Sequence, residues 1–201
     1  MSAGVHRGVR RAGVALLADG AEIVWSVADG RRGRRWRAVT KRDGTVVASL
    51  LLEVDPDGRP AHLELATPAG LLTLHPEPTG HLHGNAVTGE GIRHLTMAWG
   101  DDHELEFEPF DISSAVIAHR LDGSLPAGEG RAVPVVAIRL DLDVRETTRR
   151  YARLDTATWR IEGDGDARTT EVDARGLPAW PVPAGEPNKA REWPLELDPR
   201  P

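Results

Sequence analysis

The chain has 201 residues, of which 40% are hydrophobic and 28% charged, a composition ordinary for a globular domain. It contains no cysteine, which excludes disulfides, Cys-ligated zinc, iron–sulfur clusters and thiolate catalysis. The net charge of −6 argues against nucleic-acid binding, although residues 1–42 carry ten basic and three acidic residues. Neither a membrane-spanning apolar stretch nor a secretory signal is recognisable, so we expect a cytoplasmic protein.

Apolar and polar residues alternate along much of the chain, as they do in half-buried strands. Within residues 136–145, Leu140, Leu142 and Val144 share one face and charged side chains occupy the other. Turn residues such as Asp29-Gly30 separate the alternating runs, and long amphipathic helices are not evident. The sequence therefore predicts an all-β fold, a curled antiparallel sheet forming a half-open β-barrel with few short helices.

Three segments differ in character. We expect residues 1–24 to be a lead-in, residues 25–181 a single β-barrel-like domain, and residues 182–201 a Pro-rich tail. Such a tail cannot join the middle of a sheet, and it is also compatible with a structural or protein-binding role.

The sequence has few Phe, Tyr and Met side chains that could fill the interior of the predicted barrel. Two Phe, one Tyr and two Met leave mainly aliphatic residues for the interior. Either the interior is packed with aliphatic side chains, or a cavity remains for an apolar ligand.

Two groups of histidines are candidates for chemistry. His81 and His83 lie at a spacing found in β-barrel metal sites, but the next acid is Glu90, beyond Gly89, so we predict no metal. In residues 116–121, read as a strand, His119 shares a face with apolar neighbours. It is either a core histidine with a backbone partner or a polar group that lines a cavity.

Charged clusters give two further candidates. Glu104, Glu106 and Glu108 share one strand face, which favours a solvated surface over a paired-carboxylate site with a raised pKa. Residues 31–37 hold five Arg around Trp36, which indicates either a charged sheet edge or a site for anionic groups. The sequence has no P-loop, dinucleotide fingerprint or zinc-protease motif, so we predict no cofactor.

Several segments, in order, resemble the bacterial family designated glycolipid-binding, an all-β family of uncharacterised function. The similarity covers about residues 25–181. It rests on Trp25, residues 44–48, residues 57–65, residues 104–107 with Ser113-Ser114 and Arg120-Leu121, residues 150–154 with Trp159, and residues 172–177 with Trp180-Pro181. The chain departs from the family at Leu65, where Tyr is usual, at Ser113-Ser114, which replace another polar pair, and at His119, where Arg is common.

The resemblance implies a half-barrel similar to bacterial lipoprotein carriers that binds a lipid-like or glycolipid-like small molecule. Candidate ligand contacts are Trp36, Trp99, His119, Arg120, Tyr151 and Trp159. The alternative is a cofactor-independent cyclase or isomerase of secondary metabolism, with His119 as acid or base and Asp111 or Glu106 as its partner. The partner in either case is an apolar or amphipathic small molecule, and a homodimer is compatible with both.

Overall fold

The computed structural model describes residues 10–17, 20–107, 111–179 and 191–194. The elements in chain order are β1 (Arg10–Leu16), β2 (Glu22–Gly30), β3 (Gly33–Arg42), β4 (Thr45–Val54), β5 (Pro60–Thr67), β6 (Gly70–Glu77), β7 (His81–Thr88), β8 (Gly91–Ala98), β9 (Glu104–Phe107), α1 (Asp111–Asp122), β10 (Gly130–Ile138), β11 (Val144–Arg153), β12 (Thr158–Gly163), β13 (Asp166–Glu171) and β14 (Arg191–Pro194). The predicted all-β fold is confirmed, since the larger of two sheets is curled into a half-barrel.

The larger sheet contains nine strands in the order β14-β1-β2-β3-β4-β5-β6-β7-β8. From β1 to β8 each strand pairs antiparallel with the next one along the chain. At the β3–β4 turn, Asp43 and Gly44 have φ angles of 51° and 77°, the left-handed conformation that a two-residue hairpin turn requires. Alternate residues of β4, among them Leu50 and Leu52, are buried on the inner face, as the alternating sequence predicts.

The smaller sheet contains five strands in the order β13-β12-β11-β10-β9. Strands β10 to β13 pair antiparallel, but β9 runs parallel to β10, with Glu104 opposite Val135 and Phe107 opposite Ile138. A hairpin cannot join parallel neighbours, so the chain crosses over between them, and α1 forms part of that crossover.

The smaller sheet separates two clusters of buried side chains. On one face, Leu105, Phe107 and Val136 pack with the inner face of the half-barrel. On the other face, Val135 and Tyr151 pack with α1. The half-barrel is therefore filled by a second layer of the same chain.

Helix α1 contributes to both clusters. Ile112 and Val116 belong to the cluster inside the half-barrel, and Ala118 and Leu121 belong to the other. Every residue from 112 to 118 is buried, including Ser113 and Ser114, whose hydroxyls accept hydrogen bonds from Phe107 N and Arg168 Nη2.

The predicted strand over residues 116–121 is wrong, because these residues form the second half of α1. Alternation would place Ile117, His119 and Leu121 on one face, whereas in the helix Ile117 and Leu121 are buried and His119 is exposed. A short run that is apolar on most sides fits the strand pattern and the helix pattern equally well.

Two strands lie in segments that the sequence places outside the domain. Strand β1 falls within the predicted lead-in and β14 within the predicted tail, and the two pair antiparallel from Arg11 opposite Pro194 to Val14 opposite Arg191. The Pro-containing β14 lies at the end of the strand order, where a missing N–H is tolerated. The outer limits of the domain stay a prediction, since residues 1–9, 180–190 and 195–201 lie outside the described residues.

Candidate functional site

A cleft of about 730 Å³ lies at the end of the half-barrel where the β2–β3 and β4–β5 turns approach the C-terminal half of α1. The apolar part of its wall is formed by Val54, Pro56 and Val116. The polar lining is Asp29, Arg34, Asp55, Asp57, His119 and Arg120. We call this site the rim cleft.

Glycines allow the walls of the rim cleft to come together. Gly33 has a φ of 109°, and a Cβ there would lie 2.0 Å from the carbonyl oxygen of Val54. Gly58 has a φ of 80°, and its Cβ would contact the aliphatic part of Arg120 at 3.5 Å. A side chain at Gly33 would therefore keep the β2–β3 turn from approaching Val54, whereas at Gly58 glycine is favoured by the left-handed φ and not by a close contact.

His119 is held against the loop that follows β13. A Cβ at Gly176, whose φ is 77°, would lie 2.6 Å from the His119 ring. Arg34 ties the same loop to the cleft, because it donates to Asp29 at 2.6 and 3.2 Å and to the carbonyl of Arg175 at 2.6 Å. Partial burial, and secondarily the Arg34 charge, lower the pKa of His119, which favours the neutral imidazole.

Arg120 connects the rim cleft to a buried carboxylate. Its guanidinium forms a close ion pair with Glu104, which has no exposed surface. Within the described residues, neither carboxylate oxygen of Glu104 has a hydrogen bond of regular geometry. Burial raises the pKa of Glu104 to about 7, against the opposing effect of Arg120.

Glu106 lies two residues further along β9 and has several donors. Arg149 Nε donates to it at 2.8 Å, Arg168 Nη2 at 2.6 Å and the Tyr151 hydroxyl at 3.2 Å. Arg168 Nη2 also lies 3.0 Å from the Ser114 hydroxyl of α1. This network joins three elements of the smaller layer, β9, β11 and β13, to the helix.

The prediction that these glutamates form a solvated face is wrong. Glu104 and Glu106 are both fully buried beneath α1; Glu104 pairs with Arg120, and Glu106 pairs with Arg149 and Arg168. The raised pKa of Glu104 comes from burial and not from a neighbouring carboxylate. Glu108 lies outside the described residues.

The predicted ligand contacts are divided by the structure. His119 and Arg120 line the rim cleft, and the four predicted aromatic contacts do not. Trp36 is fully buried beside Trp25, with ring centroids 6.2 Å apart. The ring of Trp99 lies beside that of His103, with ring centroids 5.4 Å apart.

The other two aromatic residues belong to the second cluster. Trp159 is buried there with the Arg153 guanidinium 5.8 Å from its ring centroid, and Tyr151 donates to Glu106. The concavity of the half-barrel holds no space for a ligand at Ala38, Leu50 and their neighbours, where Phe107 and Ile112 fill it. The usable volume lies at its end.

The predicted catalytic group is not assembled. Asp111 is at the first turn of α1, eight residues from His119, which separates them by about 12 Å along the helix axis. Glu106 is engaged by Arg149, Arg168 and Tyr151. His119 therefore has neither proposed partner beside it.

The basic cluster of residues 31–37 lies in the β2–β3 hairpin. The predicted charged sheet edge is wrong, because β3 pairs with β2 on one side and with β4 on the other. Arg34 from this cluster lines the rim cleft, and Arg35 pairs with Glu53.

The predicted histidine pair lies on β7. His83 is directly opposite His75, and the two rings are 6.4 Å apart. Among the residues that the structure describes, no group of three His, Asp or Glu side chains is arranged to hold a metal ion.

The fold defines an all-β protein in which a curled nine-stranded sheet encloses a smaller sheet and a helix. It is similar to the crystal structure, at 1.80 Å resolution, of a DUF1089 family protein from Pseudomonas aeruginosa. The TM-score is 0.52 over 90% of this chain and 95% of that one, with 19% sequence identity, so the similarity concerns the fold alone. No protein-family profile and no curated protein matches the chain. Within the described ranges, no helix is long and apolar enough to cross a membrane.

Proposed function

We propose that this protein binds an apolar or amphipathic small molecule, of a lipid-like or glycolipid-like kind, in the rim cleft. The observation that carries the proposal is the cleft itself, whose volume of about 730 Å³ falls within the range of small-molecule sites. Its location differs from the barrel interior that the sequence suggested, but His119 and Arg120 are common to both.

The wall of the cleft suits a ligand with two parts. Val54, Pro56 and Val116 offer apolar surface, together with glycine backbone from the two turns. Burying the apolar part of a ligand here contributes about 25 cal/mol for each Å² removed from water.

The charges of the cleft favour a head group that carries hydroxyls. Three aspartates face two arginines and a neutral histidine, so the lining has a small negative excess. Hydroxyls can donate to the carboxylates and accept from the guanidinium and imidazole groups, whereas an anionic head group would meet the aspartates. A sugar or polyol head group fits this lining better than a phosphate.

Binding is the function that the geometry supports over the cyclase or isomerase alternative. That alternative pairs His119 with Asp111 or Glu106, but Asp111 is separated from His119 by about 12 Å along the helix axis, and Glu106 is engaged by Arg149, Arg168 and Tyr151.

The test uses a neutral fluorescent probe, N-phenyl-1-naphthylamine, displaced by octyl glucoside below its micelle concentration. We expect saturable binding of one probe per chain and competitive displacement by the glucoside. Gly123 lines the cleft, has an ordinary φ, and its Cβ would meet nothing within 4 Å, so Gly123→Trp obstructs the site without backbone strain. That variant should weaken probe binding by about tenfold or more.

The matched control is Gly89→Trp in the β7–β8 turn, at the opposite end of the strands. Gly89 also has an ordinary φ and open space around its Cβ. Three exposed apolar side chains lie near Gly89 on neighbouring strands, with Leu71 opposite Val87 and Val87 opposite Ile92. They form an outer surface that could bind the probe in place of the rim cleft. If Gly89→Trp changes probe binding and Gly123→Trp does not, the probe binds that outer surface and the proposal is wrong.

A further inference from the structure

A second, smaller cavity lies on the smaller sheet, away from the rim cleft. Its volume is about 160 Å³, which leaves room for several water molecules. Four arginines line it, Arg139, Arg145, Arg149 and Arg168, with Asp164 and Asp166. We call this site the arginine pocket.

Arg149 forms the fixed part of the pocket. Its side chain is only 4% exposed and is held from two sides, by Glu106 at 2.8 Å and by Asp164 at 2.6 Å. A Cβ at Gly163 would lie 2.6 Å from Arg149 Nη1, so the guanidinium lies across a position where the strand has no side chain. The guanidinium is therefore positioned before any ligand arrives, which lowers the entropy lost on binding.

Two further arginines complete the lining from neighbouring strands. Arg145 Nη2 donates to Asp164 at 3.0 Å, and Arg168 Nη2 donates to Glu106 at 2.6 Å. Each guanidinium has five N–H donors, more than these contacts and that of Arg168 with Ser114 occupy. Arg139, directly after β10, brings a fourth guanidinium to the same opening.

The charge of the pocket is positive. Four arginines exceed its two aspartates, and one positive charge remains when Glu106 beneath the pocket is counted. Guanidinium groups match the oxygens of phosphate, sulfate and carboxylate in a bidentate geometry.

We propose that the arginine pocket is a binding site for a phosphate-sized oxyanion, either a free ion or the terminal group of a phosphomonoester. The site lies in the chain segments β10 to β13 and does not use the residues of the rim cleft. The test of this proposal is therefore independent of the test of the proposed function.

The experiment titrates the full chain with inorganic phosphate by calorimetry, at constant ionic strength maintained with chloride. The double variant Arg139→Gln/Arg145→Gln removes two exposed guanidinium groups and leaves Arg149, Arg168 and their buried carboxylate in place. We expect saturable binding of one phosphate per chain, weakened by about tenfold or more in this variant.

The control is Arg150→Gln/Arg160→Gln, which changes the net charge equally. Both arginines are more than half exposed and lie beside Glu162, outside the pocket lining. This control should bind phosphate as the parent does. Equal loss in the two double variants, or no heat beyond that of chloride, would show nonspecific attraction and overturn the proposal.

Gly163→Ala gives a second test, because its methyl group displaces Arg149 without changing any charge. We expect this variant to lose phosphate binding while its circular dichroism spectrum is kept. Unchanged affinity in Gly163→Ala would contradict the role of Arg149. Glycerol phosphate in solution and vesicles of phosphatidylcholine with phosphatidic acid then distinguish a soluble ester from a lipid head group as the source of the oxyanion.

Discussion

Glu104 and Glu106 share one strand and one face, and both are fully buried, yet their surroundings differ. Glu106 accepts hydrogen bonds from Arg149, Arg168 and Tyr151. Glu104 has one cationic partner, Arg120, and no regular hydrogen bond within the described residues. The difference teaches that burial alone does not fix the role of a carboxylate. The fully bonded one holds layers together, and the poorly bonded one changes its proton occupancy near neutral pH.

The largest expected effect is at Glu106. Glu106→Gln keeps the shape but leaves Arg149 and Arg168 without their buried carboxylate. Removing one partner of a buried ion pair destabilises a protein by about 3–5 kcal/mol, and we expect a loss of that size in urea unfolding at pH 7. Glu64→Gln, at a partly exposed position, should change the free energy by less than about 0.5 kcal/mol. A loss below about 1 kcal/mol for Glu106→Gln would show that the network is not what holds β9 to β11 and β13.

The second effect is a pH dependence carried by Glu104. Because its folded pKa of about 7 exceeds the ordinary value of 4.5, the folded state binds more protons between these values. The contribution of Glu104 to the free energy of unfolding is therefore fully present below pH 4.5. It decreases by about 3 kcal/mol in total as the pH rises towards 7. In Glu104→Gln this decrease in unfolding free energy with rising pH should be absent.

The measurement for Glu104 is the difference in unfolding free energy between the parent and Glu104→Gln across this pH range. Taking the difference removes the opposite contribution of His119, whose lowered pKa makes stability rise with pH. Parallel pH profiles for the two proteins would show that Glu104 does not titrate there.

Tyr151→Phe should have an intermediate effect. The variant keeps the buried ring and removes the hydroxyl that donates to Glu106 at 3.2 Å. Losing a hydrogen bond to a charged group costs about 1.5–3 kcal/mol, and the length of this one favours the lower end. Thermal unfolding measures the change, and an unaltered midpoint would mean that the two arginines suffice for Glu106.

The smallest effect is expected when both residues of the Glu104–Arg120 ion pair are replaced together. Glu104→Leu together with Arg120→Met removes both charges and keeps apolar volume beneath α1. Replacing a buried ion pair by apolar residues is often close to neutral, so we expect a change within about 1 kcal/mol at pH 7. A large loss in the double variant would place Glu104 in the same structural class as Glu106.

The sequence predicted the fold through the features that are local. Alternation in β4 and the Asp43-Gly44 turn report directly on strand faces and hairpins. The alternation at Glu104 to Phe107 also identified a strand, but its polar face was assigned to solvent. Nothing local to β9 indicates that α1 covers this face or that Arg149 and Arg168 approach it.

The site was predicted in part for the same reason. His119 was selected from a strand interpretation that was wrong and that would have pointed Arg120 the other way, yet both side chains line the rim cleft. Trp36 and Trp159 were selected because large aromatic rings can line a cavity, and they fill the core instead. The missing side chain of Gly33 lets the β2–β3 turn approach Val54, and that of Gly176 lets the loop after β13 approach His119. Neither glycine was singled out, because its role depends on partners distant in the chain.

The crossover from β9 through α1 to β10 has a consequence for the speed of folding. Strands β1 to β8 meet their neighbours across short turns, so each hairpin closes a small loop. The parallel pair closes a much longer loop, and its helix of 12 residues is short for a helix that must be stable alone in water. Folding rates fall as contacts become more distant along the chain. We therefore expect the half-barrel hairpins to be protected from hydrogen exchange first, and β9 with α1 to follow as the slow step.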